Sequence, residues 1–138
     1  MTQGTWRDGW FVVPIDVTFR DIDAFGHVNN AVFFTYFESA RTALWFRLTG
    51  GKEPHDIGFI VARAECDFRA QIRMERIEVL VRIAEMRNTS LDFLYEIRQS
   101  EGTLAATGKV VVVLFDWETR TKKPIDEELR RRLAGDQA

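Results

Sequence analysis

The chain has a single cysteine, Cys66, among its 138 residues, so no internal disulfide can form and a reducing, cytoplasmic setting is the default expectation. Its first ten residues lack the apolar run of a secretory signal. No stretch reaches the ~20 apolar residues that cross a bilayer, because Arg41, Arg63 and Lys109 interrupt every candidate. An excess of positive charge is missing too. The net charge is -2 with arginines interleaved among acids, whereas a nucleic-acid binder concentrates Lys and Arg into a stripe facing phosphate. His27, His55 and Cys66 do not make metal-ligand spacing, so no metal is expected. Neither a phosphate-cradling glycine motif nor a nucleophile elbow is present, which excludes the commonest nucleotide and serine-hydrolase readings and leaves no cofactor expected.

What the chain does have is apolar material. Hydrophobic residues make up 46% and aromatics 12% of it, enough for one core, so residues 1–138 read as a single domain. Val13, Ile15, Val17 and Phe19 alternate with Pro14, Asp16 and Thr18, which predicts a half-buried strand over Phe11 to Phe19. Arg20 to Gly26 reads as a loop. From Ala31 to Leu48 the spacing turns helical, with Phe33, Phe37, Ala40, Leu44 and Leu48 on one stripe. Asn29 or Asn30 caps the start, and Gly50-Gly51 stops the helix. Phe34, Tyr36, Trp45 and Phe46 widen the stripe so far that a sheet must wrap around it.

Four strand-like segments follow: Ile60 to Phe68, Ile77 to Ile83, Leu91 to Ile97 and Leu104 to Phe115. The second and third form a hairpin over Asn88-Thr89, and Val110 to Val113 suits a strand buried on both faces. Asp126 caps a short last helix through Leu129 and Leu133. The order of strand, long helix and four strands predicts an α+β fold with an antiparallel sheet.

The chemically dense stretch is RDIDAFGHVNN, Arg20 to Asn30. It sets carboxylates, an imidazole and carboxamides beside a helix N-terminus, where free backbone N–H groups and the dipole favour a developing anion. Those are the parts of acyl transfer: a base or nucleophile, and donors aimed at the oxyanion. The same residue types also serve as ordinary turn and cap residues.

RDIDAFGHVNN, continued by AVFFTYFESAR, resembles the signature of hotdog-fold acyl-CoA thioesterases of the 4-hydroxybenzoyl-CoA thioesterase-like family. The resemblance implies a five-stranded antiparallel sheet wrapped around the long helix. It also implies a homodimer or homotetramer with active sites between subunits, and an acyl-CoA substrate. By the same resemblance Asp23 is the catalytic carboxylate, as nucleophile or general base, and the backbone N–H of Asn30 holds the oxyanion. A second donor falls near Gly58. His27 either orients Asp23 or the water or makes a structural hydrogen bond; relatives often carry Asn where this chain has Phe25. Glu38 is a partner of Arg41 or of an arginine across the dimer, with a catalytic acid as second choice, and Asp21 is a solvated loop residue or a partner of Arg20. Coenzyme A phosphates would meet the turn at Arg87 to Ser90, where Arg87 keeps the charge. Phe33, Phe34, Tyr36 and Phe37 would receive the acyl group. Two other readings are a non-catalytic acyl-CoA sensor on the same fold and a hydratase or dehydratase, whose loop this one does not resemble.

Overall fold

The computed structural model describes residues 4–135. Its centre is the helix α1 (Asn30–Thr49), whose apolar stripe is buried at Phe33, Tyr36, Phe37, Ala40, Leu44, Trp45 and Leu48. The Asn29 side chain accepts from the Ala31 N–H at 2.9 Å, and Gly50 ends the helix in the left-handed region at φ 79°, a conformation glycine adopts without Cβ strain.

An antiparallel sheet curls over that stripe in the order β1-β2-β4-β5-β6-β3. Its strands are β1 (Thr5–Arg7), β2 (Trp10–Asp16), β3 (Phe59–Phe68), β4 (Arg76–Met86), β5 (Ser90–Arg98) and β6 (Leu104–Asp116); the short β7 (Thr121–Lys122) pairs with β6. The last helix, α2 (Glu127–Gly135), buries Leu133. This is the hotdog arrangement, with two short strands beyond the five long ones. Alternation puts Val79, Val81, Phe93, Tyr95, Val110 and Val112 on the helix side, all buried. Gly108 sits opposite Tyr95 because the Phe37 ring fills the space above it: a Cβ there would lie 2.4 Å from that ring.

Two local expectations change. The first long strand stops at Asp16, and Phe19, which alternation placed inward, is 84% exposed in a 3-10 turn over Phe19–Asp21. The turn closes on itself, with the Asp21 carboxylate accepting the Thr18 N–H at 3.0 Å and the Thr18 carbonyl accepting the Asp21 N–H. Val110 and Val112 are buried, but Val111 and Val113 are only half-buried, because none of the described residues covers the outer face of the sheet there.

One end of the sheet gathers Asp16, Arg76, Arg98, Leu104 and Phe68, and α1 begins there. The opposite end gathers Met86, Ser90, Val113 and Phe59. The far edge, β3, is bonded to β6 only, and most of its ten residues are exposed. Among the described residues no helix is long and apolar enough to cross a membrane.

Candidate active site

Asp23 sits in a turn that it caps itself. Its N–H donates to the His27 carbonyl at 2.9 Å, its carbonyl accepts the Gly26 N–H at 3.1 Å, and Ile22 and Val28 bridge just outside. Carboxylate Oδ1 accepts the N–H groups of Phe25 at 2.9 Å and His27 at 3.4 Å. Gly26 lies at φ +83°, where a side chain would be strained although space is open. One carboxylate oxygen is thus held by the turn, while Oδ2 accepts no hydrogen bond among the described residues.

The turn is anchored to the sheet and to the helix. The Val28 N–H donates to the Ile72 carbonyl at 2.8 Å and the Asn29 N–H to the Asp21 carbonyl at 3.0 Å. Asp21, half-exposed, is tied to the helix and to its own turn and not to Arg20. Its Oδ2 accepts the Tyr36 hydroxyl at 2.9 Å as well as the Thr18 N–H. Burial, followed by this contact with the Asp21 carboxylate, pushes the Tyr36 phenol well above its ordinary range and keeps it a donor.

Asp23, His27 and Asn30 line one cleft of about 370 Å³ together with Phe25, Phe33 and Phe68. That volume suits a small ligand. With Asn29 capping Ala31, the N–H of Asn30 has no acceptor among the described residues, at the positive end of a 20-residue helix. Phe33, expected at the acyl group, forms an apolar wall, its ring 5.0 Å from that of Phe68. His27 lines the cleft, but it bonds Asp23 through its backbone N–H and not its imidazole. Sequence reasoning missed Phe68, Arg69, Ala70 and Gln71, which close the other wall; their only signal was the alternation that ends β3.

Other expected site residues lie elsewhere. Glu38 is two turns along α1, largely exposed, 3.8 Å from the buried Arg41 and outside this cleft. Tyr36 is turned to Asp21, and Phe37 stacks on Tyr95 with centroids 4.2 Å apart, so neither is offered to an acyl group. Gly58, Arg87 and Ser90 stand at the opposite end of the sheet, about 30 Å away along a strand of ten residues. Arg87 is not free for a phosphate: it donates to both oxygens of the buried Asp92 at 2.8 Å and to Ser90 Oγ at 3.0 Å. Cys66 packs on the helix side, and burial, helped by the Asp67 charge, pushes its thiol up to about 11. It is a poor nucleophile.

Comparison with known proteins places these features in a group. A model of the thioesterase-like superfamily matches residues 17–133. The chain is 30% identical over 107 residues to the acyl-CoA thioester hydrolase YbgC of Escherichia coli O6:H1, covering 75% of this chain and 80% of that protein. It superposes with a TM-score of 0.83 on a thioesterase from Thermus thermophilus complexed with coenzyme A and Zn, at 32% identity, covering 94% of this chain and 96% of the other. A predicted thioesterase from Bacillus stearothermophilus gives a TM-score of 0.85 at 28% identity, covering 91% and 95% of the two chains.

Proposed function

Because the chain belongs to the thioesterase-like superfamily, we propose that it hydrolyses an acyl-CoA to the free acid and CoA in the cleft under Asp23. The observation that carries this reading is that Asp23, with one carboxylate oxygen that has no donor among the described residues, and Asn30, with a helix-terminal N–H that has no acceptor among them, line one cleft. The thioester carbonyl accepts the Asn30 N–H, which strengthens as the oxygen becomes negative. Asp23 Oδ2 takes a proton from the attacking water, or attacks the carbonyl carbon itself. The C–S bond then breaks and the departing thiolate takes a proton, from Asp23 on the water route and from solvent on the other, where a water then cleaves the mixed anhydride to release the acid and restore Asp23. Single-turnover hydrolysis of a substrate labelled in its acyl group separates the two routes, since only attack by Asp23 itself holds the acyl group covalently on the protein before water releases it.

One chain supplies half of what the resemblance implies. Gly58, Arg87 and Ser90 cannot reach Asp23 within a subunit. A second copy paired antiparallel along the free edge of β3 brings the Gly58 end of one subunit beside the Phe68 end of the other. A homodimer is therefore part of this reading. With Arg87 committed to Asp92, Arg69 at the cleft wall is the better placed guanidinium for a phosphate.

Thiol release measured over short, long and aromatic acyl-CoAs tests the assignment. Asp23→Asn should lower kcat by about 10²- to 10⁴-fold, the usual worth of a positioned base, with the fold intact by circular dichroism. Near-normal turnover by that variant would refute the placement of the site, and binding of acyl-CoA without release would favour a sensor.

A further inference from the structure

The cleft under Asp23 does not run the length of the helix. It ends at Phe33 and Phe68. Further along the same seam between α1 and β3, a second hollow of about 260 Å³ opens; Phe34, Val61, Ala64 and Val110 give it apolar walls, completed by Glu38 and Arg41. Phe68 lines the first hollow, Phe34 lines the second, and the two rings meet. Phe68 meets Phe33 edge-on at 5.0 Å and Phe34 edge-on at 6.5 Å, the geometry aromatic rings prefer. Phe34 is itself backed edge-on at 6.0 Å by Phe37, which is fully buried and stacked on Tyr95, so one side of its ring is fixed against the core. Phe68 is placed by the backbone: it is the last residue of β3, paired with Ala106, and the next N–H, of Arg69, donates to the Ala105 carbonyl at 2.8 Å. A bulky ring left 44% exposed at this point contributes little to the core and much to the shape of the seam.

We propose that Phe34 and Phe68 form a partition closing the acyl site about one helical turn from Asn30, so that the enzyme selects short or single-ring acyl groups and Phe68 determines chain length. This rests on the hydrolase reading above. Asn30 to Phe34 is four residues, about 6 Å along the axis, which accommodates a short chain or one ring. A longer tail must displace two packed rings or turn out into water. Removing the Phe68 ring joins the two hollows and gives that tail the Val61, Ala64 and Val110 wall to lie on.

The test compares kcat/KM for butyryl-, benzoyl-, octanoyl- and palmitoyl-CoA in the wild type, Phe68→Ala and Phe34→Ala. The wild type should favour butyryl- and benzoyl-CoA. Phe68→Ala should raise the octanoyl-to-butyryl ratio by about tenfold or more, since admitting or rejecting even one methylene is worth at least that much, and the change should appear mainly in KM for octanoyl-CoA. Phe34→Ala should move the ratio in the same direction and serves if the first variant folds poorly. A ratio unmoved within about twofold in variants that still cleave butyryl-CoA overturns the partition and leaves the hydrolase reading standing, as does a wild type that already prefers palmitoyl-CoA. Silence of the wild type towards the whole panel removes the hydrolase reading and the partition with it.

Discussion

The contact between Tyr36 and Asp21 can be tested on its own, because Tyr36→Phe removes one oxygen and leaves the ring. In the wild type the hydroxyl donates to Asp21 Oδ2 at 2.9 Å from a residue only 3% exposed. Without it the carboxylate keeps, among the described residues, the Thr18 N–H at 3.0 Å. A hydrogen bond to a charged acceptor contributes about 1.5–3 kcal/mol when buried. Asp21 is half-exposed, and water can replace part of the loss, so about 1–2 kcal/mol is the expected cost. At roughly 4 °C per kcal/mol for a chain of this length, Tm should fall by about 4–8 °C. Activity should fall as well. The Asp21 carbonyl holds the Asn29 N–H at 3.0 Å, so a looser Asp21 lets the first turn of α1 and its Asn30 N–H drift. Misplacement by about 1 Å costs about 10²-fold in rate; a partial loosening should therefore lower kcat by about tenfold and change KM less. Thermal melts followed by circular dichroism and the thiol-release assay read the two effects. A Tyr36→Phe protein that melts within about 1 °C of the wild type with unchanged kcat would refute this account of what anchors the loop.

Gly108→Ala places a methyl 2.4 Å from the Phe37 ring and 3.1 Å from the Glu65 carbonyl oxygen; with Phe37 pinned on Tyr95, overpacking should cost about 1–3 kcal/mol, and an unchanged Tm would contradict it. Burial alone would raise the Glu75 carboxyl, but the hydrogen bonds it accepts from Ser100, Arg73 and Gln99 outweigh that and hold it below the ordinary 4.5. A depressed carboxyl stabilises the fold above its unfolded value and loses that contribution as pH falls through the folded one. Tm of the wild type should therefore drop more steeply below pH 4.5 than that of Glu75→Gln. The Cys66 thiol, raised from 9.0 to about 11, should react with iodoacetamide at pH 8 about 100-fold more slowly than an unperturbed thiol. A thiol raised on folding stabilises below 9.0 and loses that contribution as pH climbs through about 11, so alkaline melts should show it.

Much of the architecture can be read from the chain because its signals are periodic. Every apolar position on the helical stripe from Phe33 to Leu48 is buried, and each alternating strand segment is a strand. The exceptions have local causes. Phe19 has the right spacing but follows Thr18, which opens a self-capped 3-10 turn, and hydrogen bonding overrides alternation there. β1 and β7 have three and two residues, fewer than a period-two pattern needs to show itself. Val111 and Val113 belong to a β-branched run, yet whether both faces of a strand are covered depends on layers the run does not encode.

The candidate site divides along the same line, between what is local and what topology assembles. Asp23, His27 and Asn30 lie within eight consecutive residues, so their meeting at the helix tip follows from chain connectivity and could be read directly. Phe68 to Gln71 reach the same cleft only because β3 runs antiparallel to β6 with Phe68 opposite Ala106, a pairing across 38 positions that no local pattern announces. Gly58, Arg87 and Ser90 stand apart for a third reason. They were assigned by resemblance to a site made by two subunits, and one chain sets them at the far end of its sheet. In the proposed homodimer an antiparallel join of two β3 edges would exchange the ends and bring them back towards the cleft of the other subunit. Arg87, however, is bound to a carboxylate that is 3% exposed, and releasing it would leave Asp92 buried with only Lys109, 3.7 Å away, as counter-ion. Arg87 therefore acts in the sheet, and under the proposed function Arg69 at the cleft wall is the guanidinium left for a phosphate.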